Sequence, residues 1–252
     1  MPGAVGRQAR TRRYNAAMTQ HIGIVGCSAE GAALCYRTVC LEAEPYLGVH
    51  AHPQVTLHTH ALAQYLPLIE AGDWAGVGRL MQDSSERVAR AGADFLICPD
   101  NTIHAAMDYV RARAPLPWLH IAEVVAATAR ERGYRCLGIT GTRYLTESEV
   151  YPHALAAQGL AYLRPSAAAR SEINRIILEE LVRGIQSEAA VRYFQGVFGG
   201  LKDAGCDAVV LGCTEIPLVM HDGNSPLPTL DSTRLLARAA LRRALAPSEA
   251  SI

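Results

Sequence analysis

The chain contains one short sequence twice, and this repeat constrains the fold more than any other feature. Residues 91–102 read AGADFLICPDNT and residues 204–214 read AGCDAVVLGCT, with each residue of the second copy 113 positions after its counterpart. The alignment pairs Asp100 with Cys213. If the two copies belong to similar lobes, we expect these two side chains to face each other across a cleft.

A second pair of segments supports the repeat. The sequence HIGIVG at 21–26 matches CLGITG at 136–141, and the two lie 115 residues apart. Both are apolar and end in glycine, as strands that lead into turns often do. Two matches at nearly one separation predict two pseudo-symmetric lobes.

Short apolar runs alternate with longer amphipathic stretches, which is typical of parallel α/β folds. Each lobe is therefore predicted to hold a mostly four-stranded parallel sheet flanked by helices, with the active site in the cleft between the lobes. The predicted strands are 21–26, 54–60, 93–98, 116–120, 135–140, 160–164, 207–212 and 226–230. The predicted helices include 28–43, 74–91, 102–113, 121–132, 171–186 and 231–245. Ligands of such sheets bind beyond the carboxyl ends of the strands, where both copies of the repeat end.

These elements divide the chain into three predicted parts. Residues 1–19 form a basic, disordered tail, although translation starting at Met18 is an alternative. The N-terminal lobe combines 20–115 with 226–252, and the C-terminal lobe is 116–225. The tail holds four arginines and no acid: Arg7, Arg10, Arg12 and Arg13.

Composition excludes several classes of partner. Half of the 252 residues are hydrophobic, the formal net charge is zero, and the pI is about 7.1. Such a chain has no general attraction to nucleic acid or to an anionic membrane, and no apolar run approaches the length of a membrane span. Seven cysteines, an odd number, indicate a reducing compartment. We therefore predict a cytoplasmic protein, and we expect it to be a homodimer.

Cys213 is the main candidate for chemistry. It lies in LGCTEIP, between a strand end and the start of a predicted helix, where a helix N-terminus would lower the thiol pKa. The alternative is a small core residue, the common fate of cysteine. Cys98 is ambiguous, because its counterpart Leu211 is a strand position. The core interpretation is preferred for Cys27, Cys35, Cys40, Cys136 and Cys206.

Asp100 is either a second acid/base group, a helix cap or a ligand-recognition residue. The polar residues at the same strand ends could bind a carboxylate through side-chain and backbone donors. This predicted substrate-binding set consists of Asn101, Thr102, Thr214, Cys27, Ser28 and Thr142.

The sequence predicts neither a metal nor a cofactor. The histidines at 50, 52, 58 and 60 have no third ligand at a fixed spacing, and Cys-x-x-Cys and His-Glu-x-x-His patterns are absent. A Walker loop, a dinucleotide-binding glycine motif and a GxSxG elbow are also absent.

Together these motifs resemble the aspartate/glutamate racemase superfamily over about residues 20–245. The resemblance rests on NTIH at 101–104 together with GCTE at 212–215, supported by GIVG near the start and ELVRG at 180–184. Glu215 is similar to the aspartate-racemase branch, whereas glutamate racemases of cell-wall synthesis usually have histidine there.

The resemblance implies two α/β lobes, no cofactor, and two opposed cysteines that exchange the Cα proton. Cys213 matches the second family cysteine, whereas Asp100 stands at the position of the first, and Cys98 lies two places too early. Gln54 lies near the position where aspartate racemases often have a basic residue for a substrate carboxylate, and it joins the predicted substrate-binding set.

The sequence thus predicts a cofactor-independent amino-acid racemase or epimerase whose substrate is acidic or a close derivative. Cys213 and the opposing Asp100 would move the Cα proton. One alternative is a decarboxylase or cis-trans isomerase of a small dicarboxylate that uses Cys213 alone. Another is a non-catalytic amino-acid-binding protein with the same cleft.

Overall fold

Eight strands form two parallel sheets with the same topology in the computed structural model, which describes residues 19–246. The predicted tail at 1–19 therefore lies, except for Thr19, outside the described residues. The sheet orders are β2-β1-β3-β4 and β6-β5-β7-β8, and every pairing is parallel. The strands are β1 (Ile22–Gly26), β2 (Val55–Thr59), β3 (Phe95–Ile97), β4 (Trp118–Leu119), β5 (Cys136–Thr140), β6 (Ala161–Leu163), β7 (Ala208–Leu211) and β8 (Thr229–Asp231). The predicted fold class is confirmed.

Helices cover both faces of each sheet. The α-helices are α1 (Ala29–Glu42), α2 (Glu44–Leu47), α3 (Leu62–Ala71), α4 (Trp74–Arg90), α5 (Met107–Arg111), α6 (Ile121–Glu131), α7 (Arg143–Thr146), α8 (Val150–Ala157), α9 (Ala167–Arg175), α10 (Glu188–Asp203) and α11 (Ser232–Leu245). Shorter 3-10 turns lie at Thr102–Ala106, Leu181–Arg183 and Ile216–Leu218, and a π-helical turn lies at Ile176–Glu180. Among the described residues, no helix combines the length and apolarity needed to cross a membrane.

The repeated sequence forms the same turn in both lobes. Each copy follows a long helix, α4 or α10, and turns through a glycine in the left-handed region, with φ of 95° and 101°. The aspartate two residues later binds the start of the central strand. Asp94 accepts from the N–H of His21 at 2.6 Å, and Asp207 accepts from the N–H of Arg135 at 2.8 Å. The repeat therefore fixes how β3 and β7 enter the two sheets.

The two lobes exchange their last helices. After β4 completes the first sheet, α6 packs on the second sheet, and after β8 completes the second sheet, α11 packs on the first. The predicted boundaries at 115/116 and 225/226 are therefore wrong by one strand each. They assign β4 to the C-terminal lobe and β8 to the N-terminal lobe, whereas hydrogen bonding pairs β4 with β3 and β8 with β7. The chain therefore completes the fourth strand of a sheet before it crosses to the other lobe, and the helix that follows, α6 or α11, packs on the other lobe's sheet.

Candidate active site

The carboxyl ends of the central strands of both lobes border one cavity. Its volume is about 130 Å³, and it lies between the residues that follow β1 and β3 in the first lobe and β5 and β7 in the second. Parallel strands bring these segments together because all of their carboxyl ends lie at one edge of each sheet. The polar lining residues are Cys27, Ser28, Glu70, Asp100, Asn101, Thr102, Thr142, Tyr144, Cys213, Thr214 and Glu215. Asp100 and Cys213, paired by the repeat, therefore share one cavity.

Asp100 receives three hydrogen bonds at the N-terminus of α1. Its Oδ2 accepts from the N–H of Cys27 at 2.9 Å, and its Oδ1 accepts from the N–H of Ser28 at 3.1 Å and from the Ser28 hydroxyl. Burial raises the pKa of Asp100 to about 6, although the Ser28 and Cys27 donors oppose this shift by stabilising the carboxylate. A carboxyl group with such a pKa can change protonation near neutral pH.

Cys213 contacts Glu215, an acid that is not among the predicted catalytic residues. Its Sγ donates to Oε2 of Glu215 at 2.8 Å. Burial, together with the Glu215 charge, raises the pKa of the Cys213 thiol well above its ordinary value. The predicted lowering of this pKa is therefore wrong, because the helical turn that follows, Ile216–Leu218, has only three residues and supplies little dipole. Glu215 is instead placed to accept the thiol proton.

The threonines of the predicted substrate-binding set meet across the cavity. The hydroxyls of Thr102 and Thr142 lie 2.9 Å apart, and Thr142 also accepts from the N–H of Leu145 as the cap of α7. Thr214 is buried, and its methyl group faces Gly31 of α1: a Cβ on that glycine would lie 2.7 Å from Cγ2 of Thr214. The two lobes are therefore in van der Waals contact at the site.

Asn101 joins the lobes with its side-chain amide. Its Nδ2 donates to the Ser232 hydroxyl at 2.9 Å, and its Oδ1 accepts from the Tyr151 hydroxyl at 2.7 Å. Ser232 in turn donates to the backbone oxygen of Leu211 at 2.9 Å. Asn101 lines the cavity as predicted, yet its amide is bound to the protein itself.

Gln54 does not belong to the site. It immediately precedes β2, is exposed, and is not among the residues that line the cavity. The cavity lies at the opposite end of this five-residue strand, roughly 16 Å away at about 3.3 Å per residue. The assignment of Gln54 to substrate binding is therefore wrong, because a position at the amino end of a parallel strand faces away from the site.

Two of the histidines for which no metal binding was predicted, His58 and His60, lie near a third potential metal ligand, Asp83. One atom from each of His58, His60 and Asp83 lies within 4.8 Å of the other two. Asp83 comes from α4, so no spacing in the sequence could reveal it. Its Oδ2 already lies 2.8 Å from Nε2 of His60 and 2.7 Å from Nε of Arg87, while Nδ1 of His58 contacts the Ser84 hydroxyl at 2.9 Å. These contacts describe an ion-pair network, and the prediction of no metal site stays a prediction.

Cys98 lies in the core beside the site. It is fully buried, its Sγ donates to the backbone oxygen of Asp100 at 3.7 Å, and it is not a lining residue of the cavity. Burial raises the pKa of its thiol well above the ordinary value. Its side chain therefore packs within the first lobe.

The rest of the cavity wall is apolar, and no motif in the sequence predicts it. Helix α3 of the first lobe faces the segment 176–183 of the second lobe across the cavity. Their apolar lining residues are Leu62, Leu66, Ile69, Ile177, Leu178 and Val182. The amphipathic pattern of α3 could have identified this helix, but nothing local indicates that its apolar side chains border a ligand cavity.

Known proteins share both this sequence pattern and this architecture. The model of the Asp/Glu/Hydantoin racemase family matches residues 19–240. The crystal structure of a candidate Asp/Glu racemase from Yersinia pestis is 30% identical, with a TM-score of 0.83, over 90% of this chain and 100% of that one. An aspartate racemase homologue from Pyrococcus horikoshii OT3 is 25% identical, with a TM-score of 0.78, over 89% of this chain and 99% of that one. The broad-specificity amino-acid racemase RacX of Bacillus subtilis (strain 168) is 21% identical over 65% of this chain and 70% of its own length.

Proposed function

The chain belongs to the Asp/Glu/hydantoin racemase family, and we propose that it is an amino-acid racemase or epimerase that needs no cofactor. The observation that supports this function best is the placement of Asp100 and Cys213 on one cavity at equivalent strand ends of the two lobes. Two proton-carrying groups supplied by opposite lobes can address opposite faces of one substrate carbon.

In the proposed mechanism, each group removes the Cα proton of one enantiomer while the other returns a proton to the opposite face. In one direction the Asp100 carboxylate takes the proton and the Cys213 thiol donates its own. In the other direction Glu215 first accepts the thiol proton, the Cys213 thiolate takes the Cα proton, and protonated Asp100 donates. The backbone and hydroxyl donors around Thr102, Thr142 and Thr214 would hold the α-carboxylate and stabilise the charge that develops on it.

Deuterium exchange tests this function directly. In D₂O the enzyme is expected to wash deuterium into Cα of its substrate and to interconvert the enantiomers. Cys213→Ala is expected to lower interconversion, and wash-in from the enantiomer that Cys213 deprotonates, by at least ~100-fold, since it removes one of the two proton-carrying groups. Cys98→Ala is the matched control, because it removes a thiol that lies in the core, and it should reduce stability more than rate. Activity close to that of the unmodified protein in Cys213→Ala would refute the proposal.

A one-thiol decarboxylase is the second candidate. It is favoured by the three donors that hold Asp100 in place, because a carboxylate so engaged could be purely structural and leave Cys213 as the lone proton donor. This enzyme would release CO₂ from a small dicarboxylate and incorporate one solvent deuterium. An amino-acid-binding protein with the same cleft would do neither.

We also propose that the protein is a cytoplasmic homodimer. All seven cysteines are free, which fits a reducing compartment. Four large hydrophobic side chains are exposed between residues 36 and 49, and such patches often mark interfaces. They are Tyr36, Leu41, Tyr46 and Val49. Light scattering during size-exclusion chromatography measures the mass that tests this assembly.

A further inference from the structure

The charges on the cavity wall bear on what the substrate can be. Three acids line it, namely Glu70, Asp100 and Glu215, and none of its described lining residues is arginine, lysine or histidine. We propose that the substrate is an α-amino acid with an uncharged, apolar side chain. This inference rests on the proposed racemase function and departs from the acidic substrate expected from the sequence.

An acidic side chain would meet an unfavourable environment here. The second carboxylate of aspartate or glutamate would lie among three protein acids, and burying a charge without a partner is costly. Sites that recognise a carboxylate usually supply arginine, whose two parallel N–H groups match its geometry. Arg143 is adjacent to two lining residues, but it is exposed, and its guanidinium lies over the ring of Tyr144, 5.2 Å from the centroid.

The apolar part of the wall offers a complementary surface to an apolar side chain. Leu66 in α3 is 36% exposed, and Leu178 and Val182 in the opposing segment are 41% and 48% exposed. Leucine and valine side chains left open to solvent around a cavity gain from being covered by a ligand. Each methylene buried there should improve binding by about fourfold.

Leu178 and Val182 also lie where the helix is irregular. Helix α9 changes at Ile176 into a π-helical turn, which is followed by a 3-10 turn that ends at Arg183 and is capped by Gly184. Irregular turns of this kind are frequent at functional sites. Here they turn Leu178 and Val182 toward the cavity that α3 borders from the other lobe.

A series of substrates of similar length tests the inference. Methionine, glutamine and glutamate differ mainly in the polarity and charge of the side-chain end. We expect kcat/KM for deuterium wash-in to fall in that order, with methionine at least ~10-fold above glutamate. Leucine should likewise exceed aspartate. Equal values, or a preference for glutamate or aspartate, would overturn the inference while leaving the racemase function intact. Absence of wash-in into every amino acid would instead overturn the racemase function, and with it this inference.

A second test introduces a positive charge into the apolar wall of the cavity. Leu178→Arg adds a cation beside the cavity at a position exposed enough to tolerate it, and it should raise the glutamate-to-methionine ratio of kcat/KM at least ~10-fold. Leu57→Arg is the matched control, because Leu57 in β2 is 38% exposed and does not line the cavity. Arg143→Gln should leave that ratio unchanged. A selective loss of glutamate turnover in Arg143→Gln would show that this arginine receives an acidic substrate, contrary to the proposal.

Discussion

Asp100 and Cys213 follow equivalent strands, yet their surroundings give them opposite protonation at rest. The pKa of Asp100 is raised only to about 6, since donors from Cys27 and Ser28 offset part of the effect of burial, so the group is mostly ionised at neutral pH. The Cys213 thiol keeps its proton because burial and Glu215 raise its pKa. The resting site is thus ready for Asp100 to remove a proton and for Cys213 to deliver one. The reverse direction depends on Glu215.

Glu215→Gln should therefore impair the two directions unequally. Glutamine can still accept a hydrogen bond from the Cys213 thiol but cannot take its proton. We expect deuterium wash-in from the enantiomer that Cys213 deprotonates to fall by about 100-fold. Wash-in from the enantiomer that Asp100 deprotonates should fall much less. Equal losses from pure D- and L-substrate would contradict the assignment of Glu215 as the proton acceptor.

The pH dependence of the Asp100 direction should respond to Ser28. The rate in this direction requires the carboxylate, so it should rise as the pH passes about 6, the pKa of Asp100. Ser28→Ala removes a donor to that carboxylate, raises the pKa further, and should move the rising limb to higher pH. Ser166→Ala is the control: Ser166 caps α9 as Ser28 caps α1, and it does not line the cavity. If the rising limb of the pH–rate profile does not move in Ser28→Ala, the ionisation of Asp100 does not control the rate, and its assignment as an acid/base group is wrong.

The two reactive positions can be predicted from the sequence, but their protonation states cannot. The repeat alone pairs Asp100 with Cys213. Similar sequences form equivalent strands in the two lobes, and each of the two residues follows the carboxyl end of its strand. The raised pKa of Cys213 and its contact with Glu215 depend on burial and on side-chain orientation, which no motif encodes. The assignment of Gln54 to substrate binding is wrong for a similar reason. A position next to a predicted strand can lie at either end of it, and only the carboxyl end borders the cleft.

Helix α1 lies close to Asp100 and Thr214 because Gly31 has no side chain. A Cβ on Gly31 would lie 2.7 Å from Oγ of Ser28, 2.7 Å from Cγ2 of Thr214 and 3.2 Å from Oδ1 of Asp100. These contacts involve both lobes, so the helix can approach the site only with glycine at this position.

Gly31→Ala should consequently lower both activity and melting temperature, even though alanine is the better helix former by about 1 kcal/mol. Gly199→Ala in α10 is the matched control, because a Cβ there has no neighbouring atom within 4 Å. That variant should keep full activity and gain up to about 1 kcal/mol in the free energy of unfolding. Thermal unfolding and wash-in rates measure both effects. An active, stabilised Gly31→Ala would show that the site tolerates a wider gap between α1 and Thr214.

All eight strands could be predicted, because each is a short apolar run bounded by turn residues. The predicted division also placed α6 in the C-terminal lobe and α11 in the N-terminal lobe, and both helices pack on the sheets of those lobes. The lobes of β4 and β8 could not be predicted, because an apolar run shows that a strand is buried without showing which of two similar sheets it joins. Their place becomes visible only from the pairing of β4 with β3 and of β8 with β7.

A chain of buried hydrogen bonds connects the two lobes. It runs from Tyr151 through Asn101 and Ser232 to the backbone of Leu211. Each side chain in it is buried, so a missing partner would leave a polar atom without a hydrogen bond.

Tyr151→Phe should therefore cost about 1–3 kcal/mol in the free energy of unfolding and raise KM, because the lobes no longer hold the cavity in one geometry. Ser85→Ala provides the comparison, since Ser85 donates to the backbone oxygen of Met81 within α4 and its loss affects one lobe alone. It should reduce stability with KM unchanged. Denaturant titration and substrate saturation curves distinguish the two variants. An unchanged KM in Tyr151→Phe would limit this hydrogen-bond chain to a purely stabilising role.

The exchange of α6 and α11 also governs the order in which the protein can be completed during synthesis. The first sheet is complete at Leu119, yet α11, which together with α1 covers one of its faces, ends at Leu245. Until the ribosome has released that helix, Ile22, Phe95 and Ile97 lack the cover that α11 gives them. Helix α6, which packs on the sheet of the second lobe, is synthesised before the first strand of that sheet. The core of the second lobe needs α11 only as far as Leu235, whereas the core of the first lobe needs it as far as Ala244. The lobe that is translated first therefore completes its core last.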